Sequence, residues 1–252
     1  MSVIRPSDQA IRQYAAGTGR LAARIAVHSY GTNPQSWWSW LATRLPRDGA
    51  VLEVGAGTGE LWRQLTPPAD LTLADFSAAM CAGLPGPRVV RCDAVALPFP
   101  AGSFDTVIAN HMLYHLDDPA AALREFARVL RPGGRVALAT NGTDHMAELD
   151  AVALAVGRPG LIRFAAHSDF TAEHGVAHVA RFFTGVATER YLCDLAIPTA
   201  DPVVEYLDSM ADPPLTPGER AVARAFAESR IDADGAYRVG KNSVLITARR
   251  PG

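Results

Sequence analysis

Short apolar segments alternate with helical segments between residues 50 and 141, and this alternation constrains the fold more than any other feature. The apolar segments are bounded by turn residues and lie at 50–54, 71–74, 89–91, 104–109 and 135–140. Parallel strands that are covered by helices on both faces have near-continuous apolar sequences of this kind. The alternation therefore predicts a doubly wound, mostly parallel α/β sheet.

Helical patterns lie on both sides of this alternating region. The pattern from Ser7 to about Leu45 is broken by glycines and by a Gly-Thr-Asn-Pro sequence, which predicts two or three short helices. Beyond Asn141 the rhythm changes, and we predict helices at 147–156, 171–180, 202–210 and 217–228 and strands near 188–195 and 236–248.

Composition and charge exclude several classes of protein. The 252 residues are 48% hydrophobic, and 24 basic against 26 acidic side chains give a net charge of −2. This balance is typical of a globular chain and lacks the positive charge of a general nucleic-acid binder. No segment has the roughly 20 apolar residues of a membrane span, and the N-terminus lacks an apolar signal-peptide core. We therefore expect neither nucleic acid nor membrane as a partner.

The cysteine pattern indicates a reducing compartment. Cys81, Cys92 and Cys193 are odd in number and widely spaced, which argues against a disulfide framework. Their spacing does not suggest a metal site, so we expect no metal and interpret them as small hydrophobic residues. The sequence thus predicts a cytoplasmic protein.

A glycine-rich turn directly follows the first predicted strand. Gly55, Gly57 and Gly59 lead into a helical segment, an arrangement that offers bare backbone to a nucleotide-like ligand. The dinucleotide fingerprint needs glycine or alanine at the position of Glu60. Glu53 and Glu60 would repel a pyrophosphate, whereas a ligand with an ammonium and a sulfonium group would tolerate them.

Five segments in order resemble the class I S-adenosylmethionine-dependent methyltransferases, specifically the small-molecule branch related to the ubiquinone and menaquinone enzymes. The matching segments are VLEVGAGTG at 51–59, LADFS at 73–77, CDAVALPFPAGSFDTV at 92–107, NHMLYH at 110–115 and REFARVLRPGGRVALAT at 124–140. The resemblance implies a Rossmann-like sheet of seven strands and S-adenosyl-L-methionine as cofactor.

The resemblance also implies a set of cofactor-binding residues: Glu53, Gly55, Ala56, Gly57, Gly59, Asp75, Phe76, Asp93, Ala94 and Asn110. Glu53 would orient the methionyl amino group, and the Asn110 backbone carbonyl would accept from it. Asp75 would accept from both ribose hydroxyls, since an ionised carboxylate only accepts. For Asp75 and Asp93, a role in a turn or helix cap is the alternative.

By the same resemblance, the chain forms one methyltransferase domain over 1–252. We divide it into a helical lid at 1–46, a cofactor-binding core at 47–141, an inserted cap with late elements at 142–235 and a C-terminal strand at 236–252. A cap of this kind usually decides which substrate binds.

Two histidines follow the fourth predicted strand, where the methyl acceptor is expected to bind. His111 and His115 are four residues apart, which places them on one face if this turn is helical. Histidine is well suited to take a proton near neutral pH. In related enzymes a histidine here contacts a lid tyrosine, and Tyr14 could have that position. A packing role for His115 is the alternative.

Further acceptor contacts are expected from the lid and from the end of the fifth strand. Trp37 and Trp38 belong to a group of three tryptophans that cannot all face one core, so at least one should meet a groove or the cofactor. A helix anchored flat on the sheet is the alternative. Asn141 and His145 follow the fifth strand, although His145 and Glu148 would also suit a solvated helix pair.

The sequence predicts methyl transfer to O, N or C of a small, mostly apolar metabolite by a monomer or homodimer. Two alternatives remain open. An enzyme of the same fold can keep the cofactor structurally and catalyse a cyclisation or rearrangement. A non-enzymatic module can merely bind S-adenosylmethionine.

Overall fold

The computed structural model describes residues 18–162 and 168–252, which form a seven-stranded sheet and a separate two-stranded sheet. The strands are β1 Ala50–Val54, β2 Asp70–Asp75, β3 Val89–Arg91, β4 Phe104–Asn110, β5 Leu130–Asn141, β6 Thr184–Tyr191, β7 Leu195–Ile197, β8 Tyr237–Val239 and β9 Ser243–Arg249. The large sheet has the order β3-β2-β1-β4-β5-β9-β6, and β9 is antiparallel to both of its neighbours. The predicted mostly parallel seven-stranded sheet is confirmed.

The five strands predicted between residues 50 and 141 are all present. The apolar segments identify them because their residues are buried: all five residues of β1 and four of the six in β2 are buried. Strand β5 extends back from the predicted segment at 135–140 to Leu130 and includes the sequence Pro132-Gly133-Gly134. The burial of both faces agrees with the near-continuous apolar sequences.

Helices cover the sheet and form a second layer beyond it. The α-helices are Thr18–Ala26, Trp37–Ala42, Glu60–Gln64, Ala78–Gly83, Pro119–Val129, Ala147–Ala155, Gly175–Val179, Asp201–Met210 and Pro217–Glu228, and short 3₁₀ turns lie at Val27–Tyr30 and Leu113–His115. Two helix starts show side-chain capping. The Ser77 and Asp118 side chains accept from the backbone N–H groups of Met80 and Ala121.

The elements after residue 142 differ from the sequence prediction in their bounds. The predicted strand at 188–195 lies instead at 184–191, and the predicted C-terminal strand is two strands separated at Gly240–Asn242. The helix predicted at 171–180 is confined to 175–179. Strand β6 lies at the sheet edge, and seven of its eight residues are exposed or half-buried. Its sequence therefore has no apolar segment from which the strand could be predicted.

The buried residues form three apolar clusters. Two of them lie on the two faces of the large sheet, around Phe126 and around Trp40. The third lies outside the sheet and joins the helices 147–155, 201–210 and 217–228 to the two-stranded sheet. The range 142–235 thus contains both this helical layer and one strand of the large sheet. No helix in the described ranges has the length and apolarity of a membrane span.

Candidate active site

A cavity of about 1210 Å³ opens at the carboxyl ends of the strands and includes residues that follow β1 and β4. The strand order reverses between these two strands, which is where open α/β sheets bind their ligands. Pockets for one small ligand usually measure roughly 300 to 1,000 Å³. The cavity therefore has room for a cofactor and a second small molecule.

The turn after β1 adopts a backbone that requires glycine. Gly55, Gly57 and Gly59 have φ angles of +69°, +56° and +72°, in the left-handed region that favours glycine. A Cβ at Gly55 would lie 2.7 Å from the Cβ of Met112, and one at Gly59 would clash with Pro85. The turn therefore brings bare backbone to the cavity, as the sequence predicts.

Glu53 lies buried at the base of this turn with both carboxylate oxygens hydrogen-bonded. Trp62 Nε1 donates to Oε2 at 2.5 Å, and Asn110 Nδ2 donates to Oε1 at 3.1 Å. Burial outweighs these bonds and raises the pKa of Glu53 to about 7. Asn110 Oδ1 is buried and has no hydrogen-bond partner among the described residues. This acceptor and the Glu53 carboxylate form a site suited to a cationic group.

Asp75 lies at the end of β2 and holds the glycine turn. Its Oδ2 accepts from the backbone N–H of Gly57 at 2.9 Å, and its Oδ1 accepts from that of Ser77 at 2.8 Å. Burial raises the pKa of Asp75 above its ordinary value. The Phe76 backbone N–H contributes a further bond to this carboxylate. Its two oxygens have four lone pairs in total, so the carboxylate can still accept from a ligand.

The remaining predicted cofactor residues line the same end of the cavity. Phe76 is 51% exposed, which leaves its ring accessible to a planar group. Asp93 Oδ1 accepts from the Val95 N–H at 3.1 Å, and Ala94 is buried. Asp93 therefore has the turn role given as the alternative. Its other carboxylate oxygen, Oδ2, does not take part in this bond.

His111 and His115 both line the cavity, but they do not share a helix face. The helix there is a single 3₁₀ turn at Leu113–His115, and His111 precedes it with a φ of +53°. The expectation based on helical spacing is therefore wrong. Residues other than glycine adopt this left-handed conformation uncommonly, although histidine does so more often than most, and such backbone outliers cluster at functional sites.

The two histidines are neutral over the physiological range. Burial lowers the pKa of His111 to about 3, assisted by the charges of Lys241 and His115. Burial and the charge of Arg24 lower the pKa of His115 to about 4. His111 Nδ1 is buried and has no hydrogen-bond partner among the described residues.

Other residues predicted on the acceptor side also line the cavity. Trp37 stacks on Trp40 with 5.2 Å between ring centroids and lies 5.1 Å from the His111 ring. Trp38 is half-buried, whereas Trp40 is buried in the core below. The three tryptophans thus divide between core and cavity, as expected for a short helix.

Asn141 and His145 are fixed by the last strand and the segment before it. The Ser243 hydroxyl donates to Asn141 Oδ1 at 2.9 Å, and the Asn242 N–H donates to His145 Nδ1 at 3.1 Å. His145 precedes the helix 147–155 and faces the cavity, so the alternative of a solvated pair with Glu148 is wrong. Tyr14 lies outside the described residues.

Arg24, His28 and Lys241 also line the cavity, although the sequence did not predict them as site residues. His28 lies in the turn after the first described helix, and Lys241 lies between β8 and β9. Lys241 is the single lysine of the chain and follows Gly240 just before the last strand. These two features could have identified it as a candidate site residue. His28 had no signal, since its neighbours only show a helical pattern.

The three cysteines are free thiols. The interpretation of all three as small buried hydrophobic residues holds for Cys193 but is wrong for Cys81 and Cys92, which are only half-buried. In residues 18–162 and 168–252, no three His, Cys, Asp or Glu side chains come together in a way that suits a metal ion.

Comparison with known families identifies the core of this fold. A family model described as a methyltransferase domain matches residues 52–138. Demethylmenaquinone methyltransferase of Beutenbergia cavernae is 37% identical over 141 residues, which are 54% of this chain and 53% of that protein. Phosphatidylethanolamine N-methyltransferase of Cereibacter sphaeroides is 36% identical over 145 residues, which are 52% of this chain and 69% of that protein.

The solved structures show the same fold at low identity. Phosphoethanolamine N-methyltransferase 2 of Haemonchus contortus, in complex with S-adenosyl-L-methionine, aligns with a TM-score of 0.60 and 19% identity. The alignment covers 100% of this chain and 61% of that one. The chain spans about half the length of the first curated relatives it matches.

Proposed function

Since the chain belongs to the S-adenosylmethionine-dependent methyltransferases of the small-molecule type, we propose that it transfers a methyl group from this cofactor to O, N or C of a small, mostly apolar metabolite. One observation carries the proposal: a single cavity joins the glycine turn and its carboxylates to a group of neutral histidines. We further propose a cytoplasmic enzyme that acts as a monomer or homodimer without nucleic acid.

The residues around the glycine turn fit a cationic cofactor. S-adenosyl-L-methionine carries a positive sulfonium and an ammonium group, and when bound it supplies an activated methyl group. The Asn110 backbone carbonyl and the Glu53 carboxylate would accept from the ammonium, as the sequence predicts, and the unpartnered Asn110 Oδ1 offers a further acceptor. The Asp75 carboxylate would accept from ribose hydroxyls through the lone pairs that the backbone N–H groups of Gly57, Ser77 and Phe76 leave unused.

The other cofactor residues complete this half of the cavity in the proposal. Bare backbone at the turn lets a ligand approach closely because no Cβ stands in the way. The half-exposed Phe76 ring would lie against the adenine. Asp93 would accept from the adenine amino group, and the Ala94 backbone would add a contact.

On the acceptor side, the chain's own residues would position the nucleophile and take its proton. Transfer from a sulfonium needs little further activation, so the geometry of approach is the main requirement. His111 is our candidate for the proton acceptor, because it is neutral and its Nδ1 has no partner in the described part of the chain. His115 is a second candidate, and Tyr14 would contact this segment from the lid.

Trp37, Trp38, Asn141 and His145 would contact the acceptor, and the helical layer within 142–235 would act as the cap that selects it. The relatives differ in the substrates that their names state, namely demethylmenaquinone and phosphatidylethanolamine. We therefore propose a class of acceptor rather than one compound.

A labelled-cofactor assay tests the proposal. The protein is incubated with methyl-labelled S-adenosylmethionine and a panel of small apolar metabolites bearing hydroxyl, amine or acidic carbon groups. We expect label in a product and one S-adenosylhomocysteine released per product. A rearranged product without S-adenosylhomocysteine would contradict methyl transfer, and so would cofactor binding without turnover of any metabolite.

A further inference from the structure

The cavity is lined by carboxylates and by a group of basic residues. The carboxylates Glu53, Asp75 and Asp93 belong to or follow the first three strands, around the glycine turn. The second group, which we call the basic half, consists of the cations Arg24 and Lys241 and the neutral histidines His28, His111 and His145. The carboxylates suit the positively charged cofactor of the proposed function, which does not require the cations of the basic half.

Lys241 is the cation at the centre of the basic half. It is only 8% exposed, and its ammonium lies 5.5 Å from the centroid of the Tyr191 ring. Among the described residues, no carboxylate lies within ion-pair distance of it. A buried ammonium without an ionic partner is costly, so a bound anion beside Lys241 would stabilise its charged form.

The nearest acidic group does not fill this role. Asp194 is exposed, and its Oδ1 already accepts from the backbone N–H of Lys241 at 3.0 Å. Burial lowers the pKa of Lys241, and the electrostatic effects of Cys193 and Asp194 oppose part of that shift. An anion beside the ammonium would oppose it further.

Neutral histidines and a tryptophan surround the lysine and can donate hydrogen bonds. The charge of Lys241 contributes to the lowered pKa values of His28, His111 and His145, which places all three in its field. The Trp37 ring packs on both Tyr191 and His111, and its Nε1 is a buried donor without an acceptor among the described residues. Neutral imidazoles have one N–H each and supply no negative charge.

We propose that the methyl acceptor is a small organic anion whose negatively charged oxygen group binds beside Lys241 while its apolar body lies against the Trp37 side of the cavity. That the bound anion is the methyl acceptor rests on the proposed function. The anion site itself depends only on Lys241 and its surroundings. Lys241 is then a specificity residue. It selects acids over neutral molecules of the same shape.

Matched pairs of ligands test this inference directly. Wild-type protein saturated with S-adenosylhomocysteine is titrated with aromatic acids and their neutral amides, such as benzoate with benzamide and 2-naphthoate with 2-naphthamide. We expect at least one acid to bind about 10- to 100-fold more tightly than its amide, the scale of a hydrogen bond to a charged group. Lys241→Met should remove this preference, and Lys241→Arg should restore most of it.

Two controls separate charge from folding. Arg88→Met removes one positive charge at an exposed site paired with Asp70 and should keep the full preference. S-adenosylhomocysteine affinity and the circular dichroism spectrum of Lys241→Met should match wild type. If the methionine variant fails to fold, the arginine variant and the wild-type pairs still decide the question.

The inference is overturned if no acid in the panel binds wild type more tightly than its amide, or if Lys241→Met keeps the preference. These outcomes are distinct from failure of the proposed function. An intact acid preference without any methyl transfer would contradict the enzyme activity alone. Methyl transfer to neutral molecules without an acid preference would contradict the anion site alone.

Discussion

Glu53 and Asn110 are joined by a 3.1 Å hydrogen bond in which Asn110 Nδ2 donates to Glu53 Oε1. Glu53 belongs to β1 and Asn110 ends β4, so the bond crosses the point where the strand order reverses. It fixes the Asn110 amide so that Oδ1, rather than Nδ2, remains without a partner in the described residues. The bond therefore sets the polarity of the cavity floor.

The pKa of Glu53 predicts how cofactor affinity depends on pH. In the free protein this pKa is raised to about 7, so the carboxyl group is largely protonated at pH 6. A cation favours the ionised form, so S-adenosylmethionine should bind more tightly as the pH rises from 5.5 to 7, by up to about tenfold per pH unit. Calorimetric titrations across this range measure the effect.

Glu53→Gln should flatten that dependence, because glutamine does not titrate. The matched variant Glu189→Gln, at an exposed site paired with Arg44, should keep it. A wild-type affinity that is constant from pH 5.5 to 7 would show that Glu53 does not sense the cofactor's charge.

Asp75→Ala should weaken S-adenosylmethionine binding by roughly 1.5 to 3 kcal/mol, about 10- to 150-fold, the scale of hydrogen bonds to a charged group. Part of the loss comes from the Gly57 and Ser77 N–H groups, which lose their acceptor. Asp70→Ala at the other end of the same strand, where the side chain pairs with Arg88, should bind normally. An unchanged dissociation constant in folded Asp75→Ala would place the ribose site elsewhere.

Gly59→Ala should destabilise the protein more than Gly102→Ala. Both glycines have positive φ angles, of +72° and +68°, so both substitutions cost about 1 to 2 kcal/mol in backbone strain. Only at Gly59 would the new Cβ clash with Pro85, which adds roughly 1 to 3 kcal/mol, whereas nothing lies within 4 Å at Gly102. Urea unfolding of the two variants measures the difference, and equal losses would mean that the turn can move away from Pro85.

His111→Ala should lower kcat by about 10² to 10⁴ if the acceptor must lose a proton, the usual contribution of a general base. The pKa of His111 is about 3, so its proton-accepting form is complete above about pH 5. The wild-type profile of kcat/KM, which reports the free enzyme, should therefore show no histidine inflection between pH 5.5 and 8.

The same assay with His115→Ala and with the exposed His174→Ala separates the candidates. His174→Ala should keep wild-type kinetics, and cofactor affinity should be nearly unchanged in all three variants. If His111→Ala and His115→Ala both retain the wild-type rate and profile, neither is the base and the enzyme works by positioning alone.

Sequence patterns predict the sheet well and the acceptor half of the cavity poorly, for a physical reason. Strand β1 is marked by a fully buried apolar segment, and the glycines that follow it are required by their own backbone angles. Such features are local. Strand β6 lacks an apolar segment because it is an exposed edge strand, and its position was therefore misjudged.

The basic half of the cavity depends on contacts between distant parts of the chain. Lys241 meets His28, His111 and His145 only after the last strand inserts between β5 and β6. No short sequence pattern predicts that these residues lie close together. His111 and His115 were expected on one helix face because they are four residues apart. That spacing rule applies only within a helix, and His111 lies outside the short 3₁₀ turn.

The most direct test of the account compares two ligands on the same protein by calorimetry. S-adenosylmethionine and NAD are titrated separately into the wild-type protein, because Glu60 stands where a dinucleotide turn needs glycine or alanine. We expect saturable binding of one S-adenosylmethionine per chain and no heat of binding when NAD is titrated. Tight binding of NAD with no signal from S-adenosylmethionine would contradict it.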